Sequence, residues 1–276
     1  MNVHGSALRA AWVAALLAMV AGGCASAPAA GALVTPELRP GVARGYLASH
    51  EIPDSAVLLP PPPAEGSASL QADIEASGLR RLRGTPRWEQ ARRDSVLAFP
   101  EAAGIFECAL GVPVSEAGTP HLYRLLRRTR TDAAVVSDAA KDKYARTRPF
   151  IVNGEPSCTP DKEAGLAQNG SYPSGHTSIG WAWALILSEV APARSDPILA
   201  RGRSYGESRL VCNVHWHSDV AEGRTLGAAV VARLHGNADF RYDVAQARQE
   251  VEALAARGSQ PTRDCAAERK ALAAGG

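Results

Sequence analysis

The alternation of apolar and polar positions reads as helix along most of the chain. From Ser67 onward, Leu70, Ile74, Leu79 and Leu82 fall at helical spacing on one face. Trp88 to Leu110 has few breakers besides Pro100 and Gly104, which predicts two helices or one kinked helix. His121 to Ala134 sets Leu122, Leu125 and Leu126 on one side and Arg124, Arg127, Arg128 and Arg130 elsewhere, so these arginines are expected to form a solvated face. Ala139 to Arg148 is a polar helical segment stopped by Pro149, and residues 150–173 are loop-like. The next run differs. Between Ser178 and Val190 only Glu189 is charged, which predicts a buried central helix capped by Ser174 and ending near Pro192. Pro197 to Ser208 reads as helix and Leu210 to His217 as a short connection. Ser218 to Leu234 is a helix whose Gly227, Ala228 and Ala229 permit close packing, with Gly236 as its stop. Phe240 to Ala256 is amphipathic. Alternating β-branched runs are nearly absent, so the expected class is all-α, one helical domain over residues 51–257.

Composition narrows this little. The chain has 276 residues, 46% hydrophobic and 21% charged, which is ordinary globular usage. A net charge of +2 is too small to argue for nucleic acid or a membrane surface, so any anion-binding basicity must be local.

The flanks say more. Arg9 ends a short basic region, and Ala10 to Val20 is apolar but too short to span a bilayer, so residues 1–23 are expected to be a signal peptide. Ala21-Gly22-Gly23-Cys24 resembles a bacterial lipobox with Cys24 as the lipidated residue, although Ala21 stands where Leu is usual; Ala25-Ser26-Ala27 fits an A-x-A cleavage site instead. Either exit places the mature protein in the periplasm, anchored at the outer membrane if Cys24 is lipidated. Residues 24–50 are expected to be a flexible leader, Pro60 to Pro63 an extended polyproline run, and residues 258–276 a polar tail. Without Cys24 the cysteines are Cys108, Cys158, Cys212 and Cys265, an even set that suggests two disulfides with three possible connectivities. Otherwise Cys108 and Cys212, in apolar surroundings, would be reduced core thiols.

Three clusters carry candidate chemistry: Lys141 with Arg148 and Pro149; Ser174-Gly175-His176; and Ser208-Arg209 with His215 and Asp219. Cleavage of a phosphate ester needs fixed positive charge and aimed donors around the phosphoryl oxygens. Lys141, Arg148 and Arg209 supply the charge, and arginine's planar fork can hold two oxygens at once. The Ser174 hydroxyl and the Gly175 N–H, at a helix N-terminus, add donors. His215 and Asp219 are four residues apart, so the carboxylate can hold one ring nitrogen protonated and leave the other free to attack phosphorus. His176 is then the acid for the leaving oxygen.

The run K-x6-R-P from Lys141 to Pro149, P-S-G-H from Pro173 to His176 and S-R-x5-H-x3-D from Ser208 to Asp219 resembles the signature of the superfamily of type 2 phosphatidic acid phosphatases and vanadium haloperoxidases. The stretch from Gly170 to Thr177, the following Ser178 to Ala182, Ile52-Pro53-Asp54-Ser55 with its proline run, and Cys212 between Arg209 and His215 are similar to bacterial class A non-specific acid phosphatases. The resemblance covers Leu47 to Ala256. It implies a compact helical bundle and broad, metal-independent hydrolysis of phosphomonoesters through a phosphohistidine, with no cofactor. His215 would be the nucleophile, His176 the acid and Asp219 the orienting carboxylate. Lys141, Arg148, Ser174, Gly175 and Arg209 would bind phosphate. It also implies a homo-oligomer, sensitivity to vanadate and a disulfide between Cys158 and Cys212, which leaves Cys108 and Cys265 as the second pair.

Two other readings of the same residues exist. A vanadium haloperoxidase would hold vanadate on His215 in the same cradle. His215-Trp216-His217-Ser218-Asp219 also spells H-x-H-x-D, a run similar to the zinc ligands of metallo-β-lactamase-type hydrolases. Val220 stands where that family places His, and on a helix His217 would point away from His215, so His217 is expected to be a polar surface residue or a supporting one.

Overall fold

The computed structural model describes residue 1 and residues 33–274. The expected signal peptide beyond Met1, Cys24 and the alternative cleavage site lie outside the described residues. A short antiparallel pair, β1 (Glu37–Arg39) and β2 (Val42–Ala43), leads in. Everything after it is helix and loop: α1 (Ser55–Leu58), α2 (Ala68–Ser77), α3 (Pro86–Arg93), α4 (Glu107–Leu110), α5 (Pro120–Val135), α6 (Asp138–Tyr144), α7 (Pro149–Asn153), α8 (Glu163–Ala167), α9 (Gly175–Val190), α10 (Ser195–Val211), α11 (His217–Leu234), α12 (Ala238–Ala256) and α13 (Cys265–Ala273). No helix among the described residues is long and apolar enough to cross a membrane.

The helix starts are chemically marked. Ser67 Oγ accepts from the Leu70 N–H at the head of α2, and Thr85 Oγ1 accepts from Trp88 N ahead of Pro86 in α3. Asn237 and Asp264 cap α12 and α13 in the same way. Helix α9 is the central post. Ile179, Ala182, Trp183, Ile186 and Leu187 are buried along it, and α5, α10, α11 and α12 pack around it. Two glycines allow close helix approaches. A Cβ at Gly202 of α10 would lie 2.4 Å from the Ala184 Cβ, and one at Gly223 of α11 would lie 2.6 Å from the Ser174 carbonyl oxygen. No larger residue fits at either place without moving a helix, and the second contact holds α11 against the mouth of α9.

Several expectations change. The stretch after Ser67 turns Asp73 inward and leaves Ile74 49% exposed, because α2 packs on α11 through a polar contact rather than an apolar one. The arginines of α5 are not a solvated face. Arg124 pairs with the buried Asp243 and Arg127 with Glu37, while Arg128 and Arg130 donate to the carbonyls of Arg44, Gly45 and Leu97. The polar helix expected to reach Arg148 ends at Tyr144, where Ala145 takes a left-handed conformation with φ of 42°. A non-glycine residue there costs about 1 kcal/mol, and the turn ends the helix so that residues 146–148 run as non-helical chain, extended at Arg148.

The flanks are also more ordered than expected. Ala43 and Tyr46, placed in the flexible leader, are buried, and Tyr46 Oη donates to Asp243 at 2.6 Å. The polar tail returns as α13, which packs on α3. Cys108 is bonded to Cys265 and Cys158 to Cys212, so one link ties the tail to α4 and the other ties the loop before α8 to the end of α10.

Candidate active site

The site lies at the N-terminal mouth of α9. Ser174 is its cap: Oγ accepts from the Thr177 N–H at 3.3 Å and from the Thr177 hydroxyl at 2.9 Å. Both contacts use oxygen lone pairs, so the Ser174 O–H remains available to donate. Gly175 is the first helical residue, and its N–H is among those with no partner inside the helix. The Ser174 N–H donates to the Asp219 carbonyl at 2.9 Å, which locks this turn to the start of α11.

His215 and Asp219 meet across the N-cap of α11 rather than along its face, because the helix begins at His217. His215 Nδ1 lies 3.2 Å from Asp219 Oδ2, which also accepts from the Trp216 N–H at 2.9 Å. A carboxylate in that position holds the Nδ1 proton and leaves Nε2 as the nitrogen with the free lone pair. The ring is 4% exposed, with Arg148 Nη1 at 3.3 Å from Nε2. Burial first, then the charges of Arg148, Lys141 and Arg209, hold His215 well below the ordinary imidazole range. That direction favours the unprotonated ring.

Lys141 and Arg148 converge on one acceptor, the Gly170 carbonyl, at 2.7 Å and 3.3 Å. Arg148 is further pinned by the carbonyls of Leu166, Asn169 and Val214. Burial, reinforced by Arg148, pushes Lys141 down to about 7. Burial, reinforced by Arg209, lowers Arg148 to about 10. Arg209 is 2% exposed, and its Nε and Nη1 have no hydrogen-bond partner among the described residues. Its charge reaches His176, His215 and Arg148. An arginine buried with idle donors is costly unless something anionic completes it.

His176 is partly buried, with Nε2 at 3.2 Å from the Ser95 carbonyl. A carbonyl only accepts, so Nε2 carries the hydrogen and Nδ1 is the nitrogen that exchanges a proton. Burial first and Arg209 second hold His176 well below its ordinary range, with the Ser95 contact opposing. Ser208 faces away from this cluster. It donates to Asp94 Oδ2 at 2.6 Å and accepts from Arg87, bracing α10 against α3 beside Arg209.

The structure thus brings Lys141, Arg148, Ser174, Gly175, His176, Arg209, His215 and Asp219 into one buried neighbourhood. Sequence reasoning missed their supports. Arg146 donates to Asp219 Oδ1 at 2.8 Å and to Asp73 Oδ2 at 2.7 Å, and the Ser95 carbonyl orients His176. Arg146 had a visible signal, a second arginine inside the K-x6-R-P spacer; Asp73 and Ser95 had none. The zinc reading fails on geometry: His217 is exposed while His215 is buried, and no group of three or more His, Cys, Asp or Glu side chains gathers among the described residues. A small cleft of about 130 Å³ opens on Arg148, lined also by Arg146, Ile151, Asn169 and Gly170. A larger one, about 550 Å³, is lined by Asp94, Arg201 and Glu268 and touches none of the candidate catalytic residues.

Residues 130–241 match the PAP2 superfamily. A non-specific acid phosphatase of Providencia stuartii is 43% identical over 213 residues, 76% of this chain and 85% of the relative. An acid phosphatase of Zymomonas mobilis is 42% identical over 206 residues, 74% of this chain and 77% of the relative. A non-specific acid phosphatase of Salmonella typhimurium is 38% identical over 205 residues, 73% of this chain and 82% of the relative.

Proposed function

The chain belongs to the PAP2 superfamily with the non-specific acid phosphatases, and from that premise we propose that it hydrolyses phosphate monoesters, without a metal, through a phosphohistidine on His215. The observation that carries this reading is Arg209: a buried guanidinium with idle Nε and Nη1 donors whose charge reaches both His215 and His176. A phosphoryl group placed there takes those donors together with the Ser174 hydroxyl and the Gly175 N–H. Lys141 and Arg148 add charge to its equatorial oxygens.

The chemistry then follows in two steps. His215 Nε2 attacks phosphorus, the ester P–O bond breaks, and the leaving oxygen takes a proton from His176 Nδ1. The imidazolium that develops on His215 is stabilised by Asp219 through Nδ1–H. Next, water gives its proton to His176 and attacks the phosphohistidine, the P–N bond breaks, and phosphate and free His215 are restored. In this reading an acidic working range suits both histidines. His215 resists protonation, whereas His176 must be protonated, which the phosphate dianion assists by offsetting Arg209.

An aryl phosphate assayed with and without chelator tests the reading. Full turnover in chelator is expected, as is loss of turnover to background in His215→Ala with the fold intact. Activity abolished by chelator and restored by zinc, or retained in His215→Ala, overturns it.

Export to the periplasm, a lipid anchor at Cys24 and a homo-oligomer belong to the same proposal. The apolar stretch from Ala10 to Val20, the lipobox-like residues before Cys24 and the paired cysteines support export. Palmitate labelling that persists in Cys24→Ser would rule out the anchor.

A further inference from the structure

Asp219 is completely buried, and burial alone drives a carboxyl toward its neutral form. Arg146 opposes this. Its Nη1 donates to Asp219 Oδ1 at 2.8 Å and to Ser218 Oγ at 2.7 Å; its Nη2 donates to Asp73 Oδ2 at 2.7 Å. Asp73, on α2, is also completely buried and accepts from the Ser218 N–H and hydroxyl, each at 2.7 Å. The arginine backbone is held as well: the Arg146 carbonyl accepts from the Ser171 N–H at 2.8 Å, and the Trp216 indole donates to the next carbonyl, Thr147, at 2.8 Å. One side chain therefore joins α2, the loop ahead of α7 and the start of α11.

We propose that Arg146, braced by Asp73, is a positioning residue of the reaction, holding the Asp219 carboxylate in the one orientation that keeps the His215 ring aimed at phosphorus. This rests on the reading of His215 as nucleophile. The two oxygens of Asp219 have separate duties. Oδ2 serves His215 Nδ1 and the Trp216 N–H, and Oδ1 serves Arg146. With both oxygens occupied the carboxylate has no rotation left. Without Arg146, Oδ1 loses its charged partner inside a buried site, and the group regains charge balance by taking a proton. A protonated Asp219 no longer fixes the Nδ1–H tautomer, and Nε2 loses its free lone pair for part of the population. The charged and titratable groups that face Asp219 are Arg146, Lys141 and Arg148, then Asp73 through Arg146, His215 and Tyr172.

The test is the pH profile of kcat and KM for an aryl phosphate, using the full chain with Arg146→Gln, Arg146→Lys and Asp73→Asn. Arg146→Gln should lower kcat about 100-fold with KM changed less than about threefold, as for other residues that orient a catalytic ligand. The acid limb of kcat should move to higher pH, because Asp219 is then protonated more easily. Arg146→Lys should recover about tenfold of the loss, by keeping the charge and one of the contacts. Asp73→Asn should move the acid limb the other way, since the competing anion is gone and Arg146 serves Asp219 alone.

A merely structural role predicts something else: loss of active protein with the pH profile unchanged, and no opposed shifts. That result overturns the proposal, as does a rise in KM with kcat preserved. If Arg146→Gln does not fold, the near-isosteric Asp73→Asn decides alone, its acid limb moving down or staying still. Turnover retained in His215→Ala would instead overturn the nucleophile assignment beneath it, so the two failures are distinguishable.

Discussion

Two buried aspartates, Asp243 and Asp219, are held in different ways. Asp243 on α12 accepts from the Tyr46 hydroxyl, from two nitrogens of Arg124 and from His121 Nδ1. Its network closes on itself and ties the N-terminal strap to α5 and α12. Asp219 accepts from Arg146, Trp216 and His215, but beside that His215 lie Lys141, Arg148 and Arg209, and Arg209 keeps two donors without a partner among the described residues. At Asp243 the donors match the acceptors; at Asp219 cations outnumber carboxylates. On the proposed reading, the difference separates a structural charge cluster from a binding one. Burying charge serves the fold where every donor finds a local partner, and serves function where the protein holds donors ready for a ligand.

Exchanging one arginine in each network probes this contrast most strongly. Arg209→Met should cut kcat/KM roughly 10²- to 10³-fold, as loss of a transition-state donor does, while the melting temperature without phosphate rises, because a buried cation with two unpartnered donors has been replaced by apolar volume. Arg124→Leu should do the reverse. It leaves Asp243 buried without its cation and should cost about 3 kcal/mol or more in denaturant unfolding, with kcat per folded molecule unchanged. If both variants lose stability and neither loses catalysis selectively, the distinction fails.

A smaller effect sharpens the same contrast through pH. Lys141 sits at about 7 in the fold against an ordinary value of 10.5. Below about 7 it is charged both folded and unfolded, so its full burial penalty is present. Between there and 10.5 the unfolded chain binds more protons, so stability should rise with pH. Phosphate affinity should fall over the same range as the charge is lost. Measured against Lys141→Met, wild type should therefore gain relative stability and lose its advantage in phosphate inhibition as pH rises above neutrality. A pH-independent difference in both would place the lysine outside the phosphate cradle.

Much of this was legible in the residues. The apolar run behind Ser174 reads as a buried helix because hydrophobic periodicity is a local signal, and α9 occupies that place. The motif residues were legible for a related reason: Lys141 and Arg148, Ser174 to His176, and His215 with Asp219 each lie close together along the chain. The α5 arginines were not legible. Periodicity tells which face of a helix is polar, but not that Asp243, Glu37 and a string of carbonyls will cover it. Asp73 and Ile74 show the limit in two adjacent residues. Hydropathy places Ile74 inside, yet α2 is seated by the Asp73 carboxylate on Ser218 and Arg146, which rotates Ile74 outward. The leader read as flexible and the tail as polar for the same reason: their partners, Asp243 for Tyr46 and Arg201 for Glu268, lie far away in the chain.

By itself the amino-acid sequence determined the helical class, the buried post and the candidate groups proposed to act on a phosphoryl group. Those follow from short-range periodicity and spacing. Only the tertiary structure decided which buried charges are paired and which are left waiting. Arg146 lies 73 positions from each of the carboxylates it bridges. Charge compensation in a protein interior is a relation between groups brought together by packing, and no local pattern encodes it.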